Sequence, residues 1–153
     1  MKLSTISRSI LGLAALAATG FPYQAALAED TCVSIHVPQD DPKAFKQAIN
    51  IASNLPKQLG ADGLEIEVVA QGPGLKLFMP SSPERERIQS MLVGAEQTLG
   101  GGIKFQACEA TMKGIKKRTG KDVELIEGIK VTSPGAAAHL IKNHKRGCTY
   151  MRI

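Results

Sequence analysis

The chain has 153 residues, 19 basic and 14 acidic side chains, a formal net charge of +5, and an aromatic content of only 4% with no tryptophan. Two of the basic residues, Lys2 and Arg8, belong to an N-terminal leader, so the excess elsewhere is small. A nucleic-acid surface needs clustered basic residues with aromatics between them, and this composition argues against that class of partner.

Residues 1–28 read as a secretory signal peptide. Lys2 and Arg8 give a basic start, Ile10 to Ala18 is an uncharged Leu/Ala-rich run, and Gly20 and Pro22 interrupt any helix. Ala26-Leu27-Ala28 then offers small residues at an A-x-A cleavage site. The apolar run is too short to span a bilayer; the alternative is an uncleaved N-terminal anchor. Cleavage at Ala28/Glu29 is expected to leave residues 29–153 in the periplasm or secreted, without a membrane span. That length suits one domain around one hydrophobic core.

Val33 to Val37, β-branched and closed by Pro38, predicts a first strand. Asp41 as N-cap and Pro42 at the first helical position open a helix. Along it Phe45, Ala48, Ile49, Ala52, Leu55 and Leu59 recur at helical spacing, and Pro56 predicts a kink or restart. Gly60 and Gly63 mark the turn out. Leu64 to Ala70 is the second strand, running into Gly72-Pro73-Gly74, which is expected as a tight loop. Leu75 to Met79 is apolar and of open type.

Ser81-Ser82-Pro83-Glu84 starts a second helix carrying Ile88, Met91, Leu92, Ala95 and Leu99, which ends at Gly100-Gly101-Gly102. Ile103 to Ala107 is a third strand that gives way at Cys108 to a helix over Ala110 to Thr119. Lys116, Lys117, Arg118 and Gly120 close that helix. Val123 to Ile126 and Ile129 to Val131 predict a fourth extended region. Pro134 starts a last helix to about Lys145, and Cys148 to Ile153 forms a terminal strand.

Strands alternating with helices of this length imply βαβ units. The expected fold is α/β, a mostly parallel sheet of about five strands with helices on both faces. Ligands of such sheets gather outside the carboxyl ends of the strands. That rule selects His36 and Gln39, then Gln71, Gly72, Pro73 and Gly74, then Cys108 and Glu109 as crevice candidates.

Cys108 is the one cysteine placed both at a strand's carboxyl end and at a helix N-terminus. Free backbone N–H groups and the helix dipole favour a thiolate there, and a thiolate is the nucleophile that sulfur transfer or disulfide exchange requires. Glu109 opposes this if it points inward. The plain alternative is a buried apolar cysteine. His36 is a candidate proton carrier or ligand, against the plainer reading of a structural or solvated histidine, and Gly72-Pro73-Gly74 a candidate anion cradle, against the plainer reading of a simple turn. Lys113, Lys116, Lys117, Arg118 and Lys121 form a solvated helix end or a dock for an acidic partner.

Three cysteines leave at least one unpaired within a monomer. Cys32 and Cys148 both sit at predicted strand beginnings, on the opposite edge of the sheet from Cys108. They can bridge if those strands are neighbours with Cα atoms within about 7 Å. No C-x-x-C or H-x-x-x-H pair suggests zinc, and neither metal nor cofactor is expected.

Phe105-Gln106-Ala107-Cys108-Glu109-Ala110-Thr111-Met112 resembles the strand–Cys–helix segment of the DsrE/DsrF-like family. Val68-Val69-Ala70-Gln71-Gly72-Pro73-Gly74 resembles its second strand and loop. Val131-Thr132-Ser133-Pro134-Gly135-Ala136, with Gly147 and Tyr150, resembles its closing segment, where Cys148 replaces a more usual aromatic. The resemblance implies a flavodoxin-like fold over residues 29–153 and a homo-oligomer, trimer or hexamer. It also implies a sulfur-relay role in which Cys108 takes a sulfane sulfur as a persulfide and exchanges it with donor and acceptor proteins, which is sulfurtransferase-like carriage. The alternative is a non-enzymatic module of the same fold that binds a small ligand or a partner protein. A thiol–disulfide exchanger is a third reading, against which stands the lack of a resolving cysteine near Cys108.

Overall fold

The computed structural model describes residues 31–96 and 102–153. The predicted leader, its cleavage junction and Leu99 to Gly101 lie outside these residues. The elements run β1 (Thr31–Val37), α1 (Pro42–Leu59), β2 (Leu64–Ala70), a 3₁₀ helix (Gly72–Phe78), α2 (Arg85–Glu96), β3 (Ile103–Cys108), α3 (Glu109–Thr119), β4 (Lys130–Thr132), α4 (Ala136–Lys145) and β5 (Thr149–Arg152). The strands form one sheet in the order β4-β3-β2-β1-β5, and every neighbouring pair is parallel. No helix among the described residues is long and apolar enough to cross a membrane.

Alternation along the strands decides what each face buries. Val33, Ile35 and Val37 of β1, Ile66, Val68 and Ala70 of β2, and Phe105 and Ala107 of β3 line one face. They pack with Phe45, Ile49 and Ala52 of α1, Ile88 of α2, and Met112 and Ile115 of α3. Phe78 from the 3₁₀ helix meets Phe105 edge-to-face with ring centroids 5.8 Å apart, a favoured aromatic geometry. The opposite face carries Ser34, His36, Glu67, Val69 and Cys108, and α4 covers it with Ala136, Leu140 and Asn143. One face is therefore an apolar core and the other, among the described residues, a mixed polar surface under α4.

Caps follow the sequence at α1, where the Asp41 carboxylate accepts from the Lys43 amide at 2.9 Å. Four expectations are corrected. First, α1 does not restart at Pro56 but continues as one helix to Leu59; the proline removes a single backbone bond near the helix end. Second, Gly72-Pro73-Gly74 is no open loop but the first turn of the 3₁₀ helix, whose later residues Leu75, Leu77 and Phe78 are buried. Third, Val123 to Ile126 is not a strand. Ile126 donates its amide to the Phe78 carbonyl at 2.8 Å and buries its side chain in the core, so the segment plugs the core beside the sheet. The last helix also starts at Ala136, with Gly135 as its N-cap, rather than at Pro134.

Cys32 and Cys148 are joined by a disulfide, their Cα atoms 4.5 Å apart and 116 residues distant in sequence. The bridge crosses from β1 toward β5 at the amino ends of the strands, because β5 pairs in parallel with β1. Arg146 lies over it, with Nη2 3.5 Å from each sulfur and 3.3 Å from the Glu65 carboxylate.

Candidate active site around Cys108

β3 ends at Cys108, and the same residue is the N-cap of α3. Its φ of −72° and ψ of 113° keep it extended, so the strand hands its sulfur directly to the open first turn of a helix. Parallel pairing of β4 with β3 sets Thr132 beside Cys108. The chain then returns through Ser133-Pro134-Gly135 to start α4 over the same sulfur. Ala136 N–H donates to Cys108 Sγ at 3.3 Å. Two helix N-termini, from α3 and α4, thus converge on one thiol.

Cys108 is the free cysteine and only 4% exposed. It packs with Val69, Ala136 and Leu140, yet the sulfur also borders a cavity of about 430 Å³. Gln71, Ala110, Thr111 and the stretch Pro134 to Ala138 form the remaining walls, so among the described residues no ionisable side chain other than the thiol lines it. Burial pushes the thiol pKa up. Hydrogen bonds from the Thr111 hydroxyl and from the amides of Ala136, Thr111 and Ala110 outweigh that and hold it below its ordinary value. Such donors favour the charged sulfur, as expected where amides point at an anion.

Thr111 is itself fixed from the other side, because its hydroxyl oxygen accepts from the Gly72 amide at 2.9 Å. That leaves the hydroxyl proton for the sulfur. Gly135 is held equally close. A Cβ there would lie 3.5 Å from Cys108 Sγ and 3.2 Å from the Ala110 Cβ.

The other sequence candidates distribute around this centre. Gln71 lines the cavity. Gly72 reaches it through Thr111 and borders a second groove between the 3₁₀ helix and α3. Gly74 is buried against β1, where a Cβ would fall 2.1 Å from the Val37 carbonyl oxygen, so its role is close backbone packing. Glu109 turns away from the sulfur, pairing with Lys113 at 2.9 Å and accepting from the Ser133 hydroxyl at 2.9 Å; it does not oppose the thiolate.

His36 is not among the residues lining the cavity. It is 8% exposed, and its Nδ1 lies 2.8 Å from the Tyr150 hydroxyl on β5. Burial and the charge of Arg152 lower its pKa, partly offset by Gln71. Thr111, Gly135 and Ala136 were not singled out as site residues from the sequence. Thr111 was within reach of it, three residues into the helix that Cys108 caps.

Neither a family model nor a curated protein sequence matches the chain. Solved structures do. MTH1491 from Methanobacterium thermoautotrophicum, a protein of unknown function, superposes with a TM-score of 0.67 at 26% identity, over 81% of this chain and 100% of its own. The ychN protein of E. coli superposes with a TM-score of 0.56 at 10% identity, over 80% and 99%. The chain has a DsrE-like fold. That fold brings a mostly buried thiol and two sets of helix amides together at the carboxyl end of the sheet.

Proposed function

We propose that this protein is an exported sulfur carrier that accepts a sulfane sulfur as a persulfide on Cys108. The observation that carries the reading is the convergence of Thr111, Ala110 and Ala136 donors on one sulfur beside a cavity. The Cys108 thiolate attacks the outer sulfur of a donor persulfide R–S–SH. A sulfur–sulfur bond to Cys108 forms as the donor's bond breaks, the donor leaves as R–S⁻, and the transferred sulfur keeps its proton. An acceptor thiolate then attacks that outer sulfur and releases the Cys108 thiolate. The same amides stabilise the thiolate as attacker and as leaving group. The DsrE-like fold supports this reading at the level of fold; function itself resides in the site. The reading takes residues 1–28 as an export leader, and the family resemblance supports a homo-oligomer, trimer or hexamer, with donor and acceptor proteins as its partners.

With Cys32 and Cys148 bridged, Cys108 is the remaining thiol. The test is intact mass after incubation of the non-reduced mature protein with a sulfane-sulfur donor. The expected result is a gain of one sulfur atom, absent in Cys108→Ala. An unchanged mass in the native protein would overturn the reading.

The burial of Cys108 favours one second reading, a module that binds a small ligand in the alanine-lined cavity without thiol chemistry. A Cys108→Ser protein that keeps full activity in its host would select that reading.

A further inference from the structure

Glu67 lies in the middle of β2, 4% exposed, on the sheet face that α4 covers. A carboxylate buried there is costly unless donors surround it. Among the described residues its side-chain donors come from α4: His139 Nε2 at 2.6 Å and Asn143 Nδ2. Asn143 Nδ2 also donates to Ser34 Oγ on β1 at 3.0 Å. Lys104 on β3 is registered beside Glu67 but is directed to Glu65 at 2.8 Å.

Ala136, His139, Leu140 and Asn143 follow the i, i+3, i+4, i+7 spacing of one helix face. That face alternates between two tasks. Ala136 and Leu140 pack on Val69 and Cys108, while His139 and Asn143 bind Glu67. The apolar patch is small and its contacts are non-directional, whereas hydrogen bonds to one carboxylate set a position along the helix axis. The Ala136 amide, one turn from His139, is the group so fixed, and it is the one that meets the sulfur.

We infer that Glu67, His139 and Asn143 are positioning residues for the Cys108 thiolate: they lock α4 on the sheet so that its first amide is aimed at the sulfur. The inference rests on Cys108 as the working residue of the proposed carrier. Its readout is thiol alkylation, so its failure is distinct from a failure of persulfide uptake.

The experiment compares the pH profile of iodoacetamide alkylation in the full mature protein, non-reduced, with Glu67→Gln, His139→Ala and His139→Gln. Losing the aimed amide should raise the alkylation midpoint of His139→Ala by about one pH unit, roughly a tenfold loss of thiolate at neutral pH. His139→Gln keeps an N–H donor and should recover most of the shift. If Glu67→Gln fails to fold, the two His139 variants decide, since that side chain is at the rim and 22% exposed. A folded His139→Ala with an unchanged midpoint, or an equal shift in His139→Gln, overturns the inference. A lower melting temperature alone would show a merely structural role and overturn it too.

Discussion

Gly135 stands against Cys108 with little space to spare: a Cβ built there touches the sulfur at 3.5 Å and crowds the Ala110 Cβ at 3.2 Å. Gly135→Ala should therefore force the start of α4 away from α3 by a few tenths of an ångström. Overpacking of this kind costs about 1–3 kcal/mol. Thermal unfolding should show that loss, and Cys108 alkylation should slow at neutral pH because the Ala136 amide retreats.

Thr111→Val keeps the shape of the side chain and removes both its bond to the sulfur and its bond from the Gly72 amide. A hydrogen bond to a charged group contributes about 1.5–3 kcal/mol. The alkylation midpoint should rise by about one to two pH units, measured in the non-reduced protein. An unaltered midpoint would remove Thr111 from the site.

The depressed thiol pKa also links stability to pH. Between the folded-state pKa and the ordinary thiol value near 8.5, the unfolded chain binds more protons than the native one. Stability contributed by the site therefore increases as pH rises through that window and is lost as pH falls through the folded pKa. Denaturant titrations of wild type and Cys108→Ala across that range should diverge upward for the wild type, whereas parallel curves would contradict the shift.

Reduction of the Cys32–Cys148 bridge reopens a closure of 116 residues. Stability should fall by about 2–4 kcal/mol, read as a lower denaturation midpoint in the presence of a reductant. The Cys108 alkylation profile should stay where it is, because the bridge sits at the opposite ends of the strands.

Gly74→Ala tests a different close approach. Its Cβ would overlap the Val37 carbonyl oxygen at 2.1 Å, a clash with backbone that no rotamer relieves. A loss of about 3 kcal/mol or more is expected, seen as a lowered melting temperature.

The sheet was legible because period-2 and period-3.6 patterns alternate cleanly from Val33 to Thr119. Cys108 was legible for a local reason: strand end and helix start are consecutive in sequence, so one residue inherits both. The second half of the site was hidden by distance. Ala136 is 28 residues from Cys108 and reaches it only because β4 docks beside β3. Val123 to Ile126 misled because apolar, β-branched residues suit a core plug as well as a strand. Glu67 was hidden in plain view. In Leu64-Glu65-Ile66-Glu67 nothing local distinguishes the two glutamates, and the docking of α4 separates buried Glu67 from the more exposed Glu65.

The bridge between Cys32 and Cys148 turns nearly the whole domain into a covalent ring. A single protease cut anywhere between residues 33 and 147 would leave both pieces tethered, to separate only after reduction. Tension applied to the two ends of the domain would likewise pass from one sulfur to the other, bypassing the enclosed chain and leaving the thiol pocket unloaded.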